Sequence, residues 1–152
     1  EKTMTRTNAR EIVAQLVYEM EFRDDDAQAV AQALLQPDYF QTLKDEADVY
    51  EEQPGTKQSA YIEQTLCGIE EKREELEGYI QKYAVGWELK RISRTARAIM
   101  LLAMYEALYV DDVPVNAAIS EAVELTRKYE DEDVVSFVNG ILGAFAREVA
   151  NA

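Results

Sequence analysis

The sequence predicts an all-helical protein, and three observations support this fold class. Glycine and proline are scarce, with six and three in 152 residues, whereas residues that favour helices, such as alanine, glutamate, leucine and glutamine, are abundant. Apolar residues recur every three to four positions along most of the chain, as in a helix that buries one face. No segment shows a competing strand pattern. We therefore expect about seven helices in two small antiparallel bundles.

The first part of the chain predicts two helices and a less regular segment. Residues 5–22 form the first helix, with Thr5 or Thr7 as its cap. The acidic triplet at 24–26 ends that helix and caps a short second one, which stops before Pro37. Residues 38–57 are acidic and weakly patterned, so we expect one helix flanked by irregular chain. The apolar stripes of the first two helices are Ile12, Val13, Leu16, Val17 and Met20, then Val30, Leu34 and Leu35.

The middle of the chain predicts one long helix over 58–83, a break at Gly86, and another helix that Ser93 caps and that extends to Tyr109. Residues 87–92 connect the two. We expect one domain over 1–152. Because the break falls near residue 86, this domain divides into an N-terminal helical subdomain over about 5–85 and a C-terminal one over about 86–150.

Two further helices are expected at the C-terminus. Pro114 stands where a helix begins, since its missing N–H is not needed there. The last helix begins near Asp133, and its apolar period continues through Asn139 and Gly140. A glycine inside a helix costs up to ~1 kcal/mol relative to alanine. We therefore predict that another helix of the C-terminal bundle packs closely against Gly140.

Several functional classes are excluded by composition. The chain has no histidine and one cysteine, which rules out Ser-His and Cys-His nucleophiles, histidine-ligated metals, zinc fingers and internal disulfides. Adjacent carboxylates such as Glu70 and Glu71 point about 100° apart on a helix, and no phosphate-binding loop accompanies them. The sequence therefore predicts no catalytic residue, no metal site and no cofactor.

Localisation is predicted from what the sequence lacks. A single cysteine suits a reducing cytoplasm. The longest apolar run, residues 98–104, is far shorter than the ~20 residues that span a bilayer, and no signal peptide is recognisable. We expect a cytoplasmic protein with no membrane partner.

The net charge of −14 is unevenly distributed. Residues 24–85 hold five basic and fifteen acidic side chains, and residues 111–152 hold three and nine, so these segments carry −10 and −6. Residues 1–23 are neutral, with four of each, and residues 86–110, with four basic and two acidic, carry +2. Within a helix Lys90, Arg94 and Arg97 would form one stripe. That stripe is either a solubilising face or a small phosphate-binding patch.

Several motifs in the C-terminal half resemble the signature of the NusB family of bacterial transcription antitermination factors. They are Trp-Glu-Leu-Lys-Arg-Ile at 87–92, Ala-Met-Tyr-Glu at 103–106, Asp-Val-Pro at 112–114, Ile-Ser-Glu-Ala-Val-Glu-Leu at 119–125 and Phe-Val-Asn-Gly at 137–140. Ala9, Arg10, Glu11 and Tyr18 resemble the family's first helix. The match covers nearly the whole chain in order and spacing.

The resemblance implies a NusB-like all-helical fold and a non-enzymatic RNA-binding adaptor. Such an adaptor pairs with NusE, a small-subunit ribosomal protein, and the pair recognises boxA RNA in the RNA polymerase antitermination complex that supports ribosomal RNA transcription. Some family members self-associate in a way that covers the RNA face, and the sequence does not decide between a monomer and a homodimer. The RNA-binding residues that the resemblance implies are Arg6, Arg10, Tyr18 and Asp133, and the basic charge of their segment adds Lys90, Arg91 and Arg94. For Tyr18 a packing role, and for Asp133 a helix cap, stay open as alternatives.

Two departures from the family pattern predict weak RNA binding by the isolated chain. Thr7 and Asn8 stand where further basic residues are common, and Leu101 stands where the family usually carries an arginine that faces the RNA. NusE would then supply more of the phosphate contacts, docking on the acidic C-terminal helices. The alternative function is a protein-interaction module of the same fold with weak or lost RNA binding.

Overall fold

The computed structural model describes residues 3–150 of the chain. These residues contain eight α-helices and two short 3₁₀ turns. No strand occurs within these residues, and the predicted all-helical class is confirmed. The helices group into two compact units, one that ends at Glu70 and one that begins at Glu71. Each unit is best understood from its own packing.

The first unit contains four helices and one 3₁₀ turn: α1 (Arg6–Met20), α2 (Ala27–Leu34), α3 (Pro37–Thr42), the turn Asp48–Tyr50, and α4 (Thr56–Glu71). Its caps follow the sequence. The Thr5 hydroxyl accepts a hydrogen bond from the Asn8 amide over 3.1 Å, and the Asp26 carboxylate accepts one from the Ala29 amide over 3.3 Å. The predicted apolar stripe of α1 is buried as far as Val17.

The predicted single helix over 58–83 is wrong, because the chain is interrupted at Lys72. The ψ angle of Lys72 is 10°, well outside the helical range, and α5 (Arg73–Tyr83) begins directly after it. Residues 69–77 around the break are rich in charged helix formers and contain no glycine or proline, although Gly68 lies four residues before Lys72. No glycine or proline therefore marks the break itself.

The second unit is organised around α6 (Arg94–Tyr109), which contacts α5, α7 (Val115–Tyr129) and α8 (Glu132–Ala150). Every residue over 96–104 is buried. A helix that is buried on all sides is the central element of its bundle. Ser93 caps α6, as predicted, by accepting from the Ala96 amide over 3.2 Å.

The last helix continues unbroken through Asn139 and Gly140, as predicted, but the expected close contact at Gly140 is wrong. Both residues are exposed. A Cβ atom built on Gly140 would meet no atom of the described chain within 4 Å. The inward face of α8 instead uses larger side chains, and the Phe145 ring meets the Tyr79 ring edge-on, with centroids 5.1 Å apart.

Within residues 3–150, no helix has both the length and the hydropathy that crossing a bilayer requires.

Candidate nucleic-acid interface

The start of α1 places the first candidate residue, Arg6, in a fixed orientation. Its Nε donates a hydrogen bond to Gln58 Oε1 over 2.8 Å. The guanidinium carbon lies 4.0 Å from the centroid of the Tyr61 ring, which is a cation–π distance. Arg6 is half-buried. Two contacts from α4 therefore hold this arginine at the head of α1.

Arg10 and Tyr18 continue the candidate surface along α1. Arg10 is four residues after Arg6, so the two lie on the same helical face, and Arg10 is also half-buried. Tyr18 lies about 12 Å further along the axis. Its side chain is 38% exposed, and its ring lies 5.4 Å from that of Phe22, which is 57% exposed. Tyr18 is thus a surface aromatic, and Phe22 is a neighbour that the sequence had not singled out.

The second unit places the other basic candidates at the turn before α6. Lys90 and Arg91 belong to the 3₁₀ turn Leu89–Arg91, and Arg94 is the first residue of α6. All three are exposed. The Lys90 ammonium lies 3.6 Å from the carboxylate of Glu88, but both side chains are largely exposed, at 82% and 65%. An ion pair this exposed is weak and leaves the lysine available to a phosphate.

The predicted stripe of Lys90, Arg94 and Arg97 is wrong, because the three residues do not share one helix. Ile92 and Ser93 are extended, with ψ of 137° and 130°, and separate the turn from α6. Arg97 is only 8% exposed and donates from Nη1 to the Leu89 carbonyl oxygen over 3.0 Å. Arg97 therefore fastens the turn that carries Lys90 and Arg91.

Asp133 lies in the first turn of α8 and is exposed. It does not cap that helix: the capping carboxylate is that of Asp131, which accepts from the Val134 amide over 3.2 Å. The alternative interpretation of Asp133 as a helix cap is therefore wrong. Its exposed carboxylate is available to accept a hydrogen bond from a ligand.

Two contacts bring the basic turn next to the junction between α7 and α8. The Ser93 hydroxyl donates to the Glu130 carboxylate just after α7. The Trp87 and Phe137 rings meet with centroids 5.6 Å apart, and Phe137 is one turn after Asp133. The second unit thus gathers the basic residues 90, 91 and 94 and the acidic position 133 into one region, whereas Arg6, Arg10 and Tyr18 belong to the first unit.

Leu101 does not occupy a surface position. It is fully buried, with 0% exposure, inside α6. In this chain a core residue therefore stands where the resemblance implies an arginine that faces the RNA. The weak RNA binding expected of the isolated chain, which also rests on Thr7 and Asn8, stays a prediction.

The remaining ionisable groups give no indication of a catalytic or metal site. Within residues 3–150, no cluster of three or more histidine, cysteine, aspartate or glutamate side chains has a geometry that could hold a metal ion. Burial raises the pKa of the Cys67 thiol, and the nearby Glu63 and Asp26 carboxylates raise it further. A raised pKa lowers the thiolate fraction and hence the reactivity of this half-buried cysteine.

Comparison with known sequences places these features in a family context. The NusB family profile matches residues 7–147. The chain is 37% identical over 139 residues to the transcription antitermination protein NusB of Clostridium perfringens, covering 91% of this chain and 94% of that protein. It is 35% identical over 140 residues to the protein of the same name from Acetivibrio thermocellus, covering 92% and 87%.

Solved structures give the same fold. T. maritima NusB superposes with a TM-score of 0.75 at 29% identity, covering 97% of this chain and 94% of that one. A chain from a complex of the antitermination factors NusB and NusE with dsRNA superposes with a TM-score of 0.68, covering 94% and 96%. At 20% identity, this second likeness concerns the fold alone.

Proposed function

This chain belongs to the NusB family, and we propose that it is a transcription antitermination factor that binds RNA together with a NusE-type ribosomal protein. The observation that carries the proposal is the near full-length identity of 35–37% to proteins named for this function. The function is one of binding rather than catalysis, since those relatives are named as antitermination proteins. Its place of action would be the cytoplasm, where transcription occurs in bacteria.

The RNA that we propose is a boxA-like single-stranded element. Sequence-specific RNA recognition mostly targets unpaired bases, which aromatic side chains and arginines can contact. This chain offers arginines and surface aromatics in both units. Arg6, Arg10 and Tyr18 are the proposed contacts of the first unit, and Lys90, Arg91, Arg94 and Asp133 those of the second.

The net charge of the chain indicates that RNA binding requires a partner protein. Phosphate neutralisation supplies most of the sequence-independent affinity of nucleic-acid-binding proteins, and a net charge of −14 opposes it. In the second unit, four consecutive carboxylates at 130–133 lie beside the basic turn. A basic NusE-type protein would offset this repulsion, so we expect affinity for boxA RNA to rise markedly in the ternary mixture.

The test measures binding of a boxA RNA and a scrambled RNA of equal length, with and without a NusE-type protein. The proposal requires tighter binding of boxA than of the scrambled sequence when the partner is present. Equal affinities in the ternary mixture would contradict it, and the chain would then be a protein-interaction module of this fold. The partner alone with each RNA is the necessary control.

The salt dependence of the same complex separates phosphate contacts from other contacts. If this chain contributes phosphate contacts, its addition makes the slope of log affinity against log salt concentration steeper than for the partner alone. An unchanged slope would mean that the chain engages no phosphates and that its role is confined to protein contacts.

A further inference from the structure

Trp87 is a large apolar side chain that the fold leaves at the surface. Its exposure is 52%, and it is the chain's one tryptophan. It follows a tight turn in which Gly86 has a φ of +84° and the Trp87 amide donates to the Ala84 carbonyl oxygen over 3.0 Å. About half of the indole surface is therefore open to contact by a ligand.

Contacts with neighbouring residues fix the position of the indole ring. The Phe137 ring lies 5.6 Å from it, tilted by 59°. The 3₁₀ turn that follows is closed by hydrogen bonds from the Arg91 amide to Glu88 and from the Ile92 amide to Leu89. Arg97 also holds the Leu89 carbonyl. An aromatic ring whose position is fixed in advance loses little conformational entropy when a ligand stacks on it.

The charged side chains near Trp87 indicate which class of ligand can bind there. Lys90 and Arg91 follow three and four residues later and are exposed, and Arg94 is exposed at the start of α6. These residues belong to the segment 86–110, whose four basic and two acidic side chains give it the only positive balance among the four charge segments of the sequence. An aromatic platform beside cations is the combination that single-stranded nucleic acids use, with bases stacked and phosphates paired.

From these contacts we propose that Trp87 is a base-stacking residue: one unpaired RNA base stacks on its indole while Lys90 and Arg91 contact the flanking phosphates. This inference rests on the proposed function and deepens it, because it names the residue that receives a base. Phe137, which contacts the indole, lies one helical turn after Asp133 in α8. Asp133 can then accept a hydrogen bond from a base amino group.

The single tryptophan makes a direct test available. Indole fluorescence of the wild-type chain is followed while boxA RNA is added in the presence of a NusE-type protein, with the Trp87→Phe complex as the blank. Stacking predicts strong quenching that saturates with the same dissociation constant as an independent binding assay. Quenching by the partner protein alone, with no further change on adding RNA, would overturn the inference and make Trp87 a protein-docking residue.

Variants test the energetic contribution. We expect Trp87→Ala to weaken boxA binding roughly 10-fold or more, which is the usual cost of removing one stacking platform, whereas Trp87→Phe retains most of the affinity. Tyr39→Ala is the matched control, since Tyr39 is equally exposed at 52% and has no basic residue within four positions. Circular dichroism spectra of all variants check that the fold is retained.

The outcomes separate this inference from the proposed function. If the wild-type complex binds boxA RNA selectively but Trp87→Ala binds equally well, without quenching in the wild type, the stacking role is wrong and the antitermination function stands. If the wild-type complex shows no preference for boxA, both are overturned. A loss of affinity in Tyr39→Ala equal to that in Trp87→Ala would overturn the specific role of Trp87.

Discussion

Arg97 donates from Nη1 to the Leu89 carbonyl oxygen over 3.0 Å while only 8% of the arginine is exposed. A cation this well buried requires hydrogen-bond acceptors, because burying an unpaired charge is costly. The bond ties the first turn of α6 to the 3₁₀ turn that precedes it. Arg97 thus fastens the turn that carries Lys90 and Arg91, and thereby positions both of these basic residues.

We predict that Arg97→Lys destabilises the protein by about 1–3 kcal/mol, because an ammonium cannot reproduce the planar array of donors and leaves a buried polar group poorly paired. Urea denaturation measures this difference. Arg94→Lys is the control, since Arg94 is exposed on the same helix and its replacement should change stability by no more than ~0.5 kcal/mol. Equal effects of the two changes would contradict the anchoring role of Arg97.

A second prediction separates the charge of Arg6 from its orientation. Arg6→Gln removes one cation, so the salt dependence of RNA binding should fall by about 1 in slope, together with the affinity. Gln58→Leu leaves the charge but removes the acceptor of the Arg6 Nε hydrogen bond. It should lower affinity without changing the slope. Both are measured by titrating RNA at several salt concentrations; an unchanged slope in Arg6→Gln would mean that Arg6 meets no phosphate.

Helix boundaries set by local chemistry could be predicted from the sequence. Thr5 and Ser93 cap their helices as expected, because a hydroxyl at the start of a helix can accept a hydrogen bond from a backbone amide of the first turn. The burial of α6 could not be predicted, because apolar periodicity identifies one face and α6 is buried on all sides. The interruption at Lys72 was also missed, since no residue type there marks it.

Only parts of the candidate site could be predicted from the sequence. The basic residues near position 90 were visible as a local charge cluster, but their setting depends on contacts across the chain. Trp87 meets Phe137, fifty residues later, and Ser93 meets Glu130. No pattern in a single sequence reports such pairs. The available signal in the sequence is the lone tryptophan next to Lys90 and Arg91.

Tyr109 provides a pH-dependent prediction. Its hydroxyl donates to the Glu75 carboxylate, and this bond, with lesser effects of desolvation and charge, raises the pKa of Tyr109 from 10.0 to about 12. The folded state therefore holds this proton more tightly than the unfolded chain. The resulting stability is present below pH 10 and is lost as the pH rises toward 12. Because Tyr109 is 40% exposed, solvent screening keeps the effect on stability small.

Ultraviolet titration of tyrosinate measures that pKa directly. Tyr109 should contribute an ionisation step at about 12, and Tyr109→Phe should remove that step. Glu75→Gln removes the negative charge that opposes ionisation and should shift the step toward the ordinary tyrosine pKa. A late step that survives in Tyr109→Phe would assign it to another residue.

The final prediction compares two glycines with opposite backbone requirements. Gly140 is exposed inside α8, and a Cβ there would meet no described atom within 4 Å, so Gly140→Ala should gain roughly 0.5–1 kcal/mol from helix propensity. For a domain of this size that gain raises the melting temperature by about 1–4 °C. Gly86→Ala should instead lose about 1–2 kcal/mol, because a φ of +84° strains any residue with a Cβ. Thermal and urea unfolding of both variants measure the two signs. A destabilised Gly140→Ala would show that a neighbouring group packs against this glycine after all.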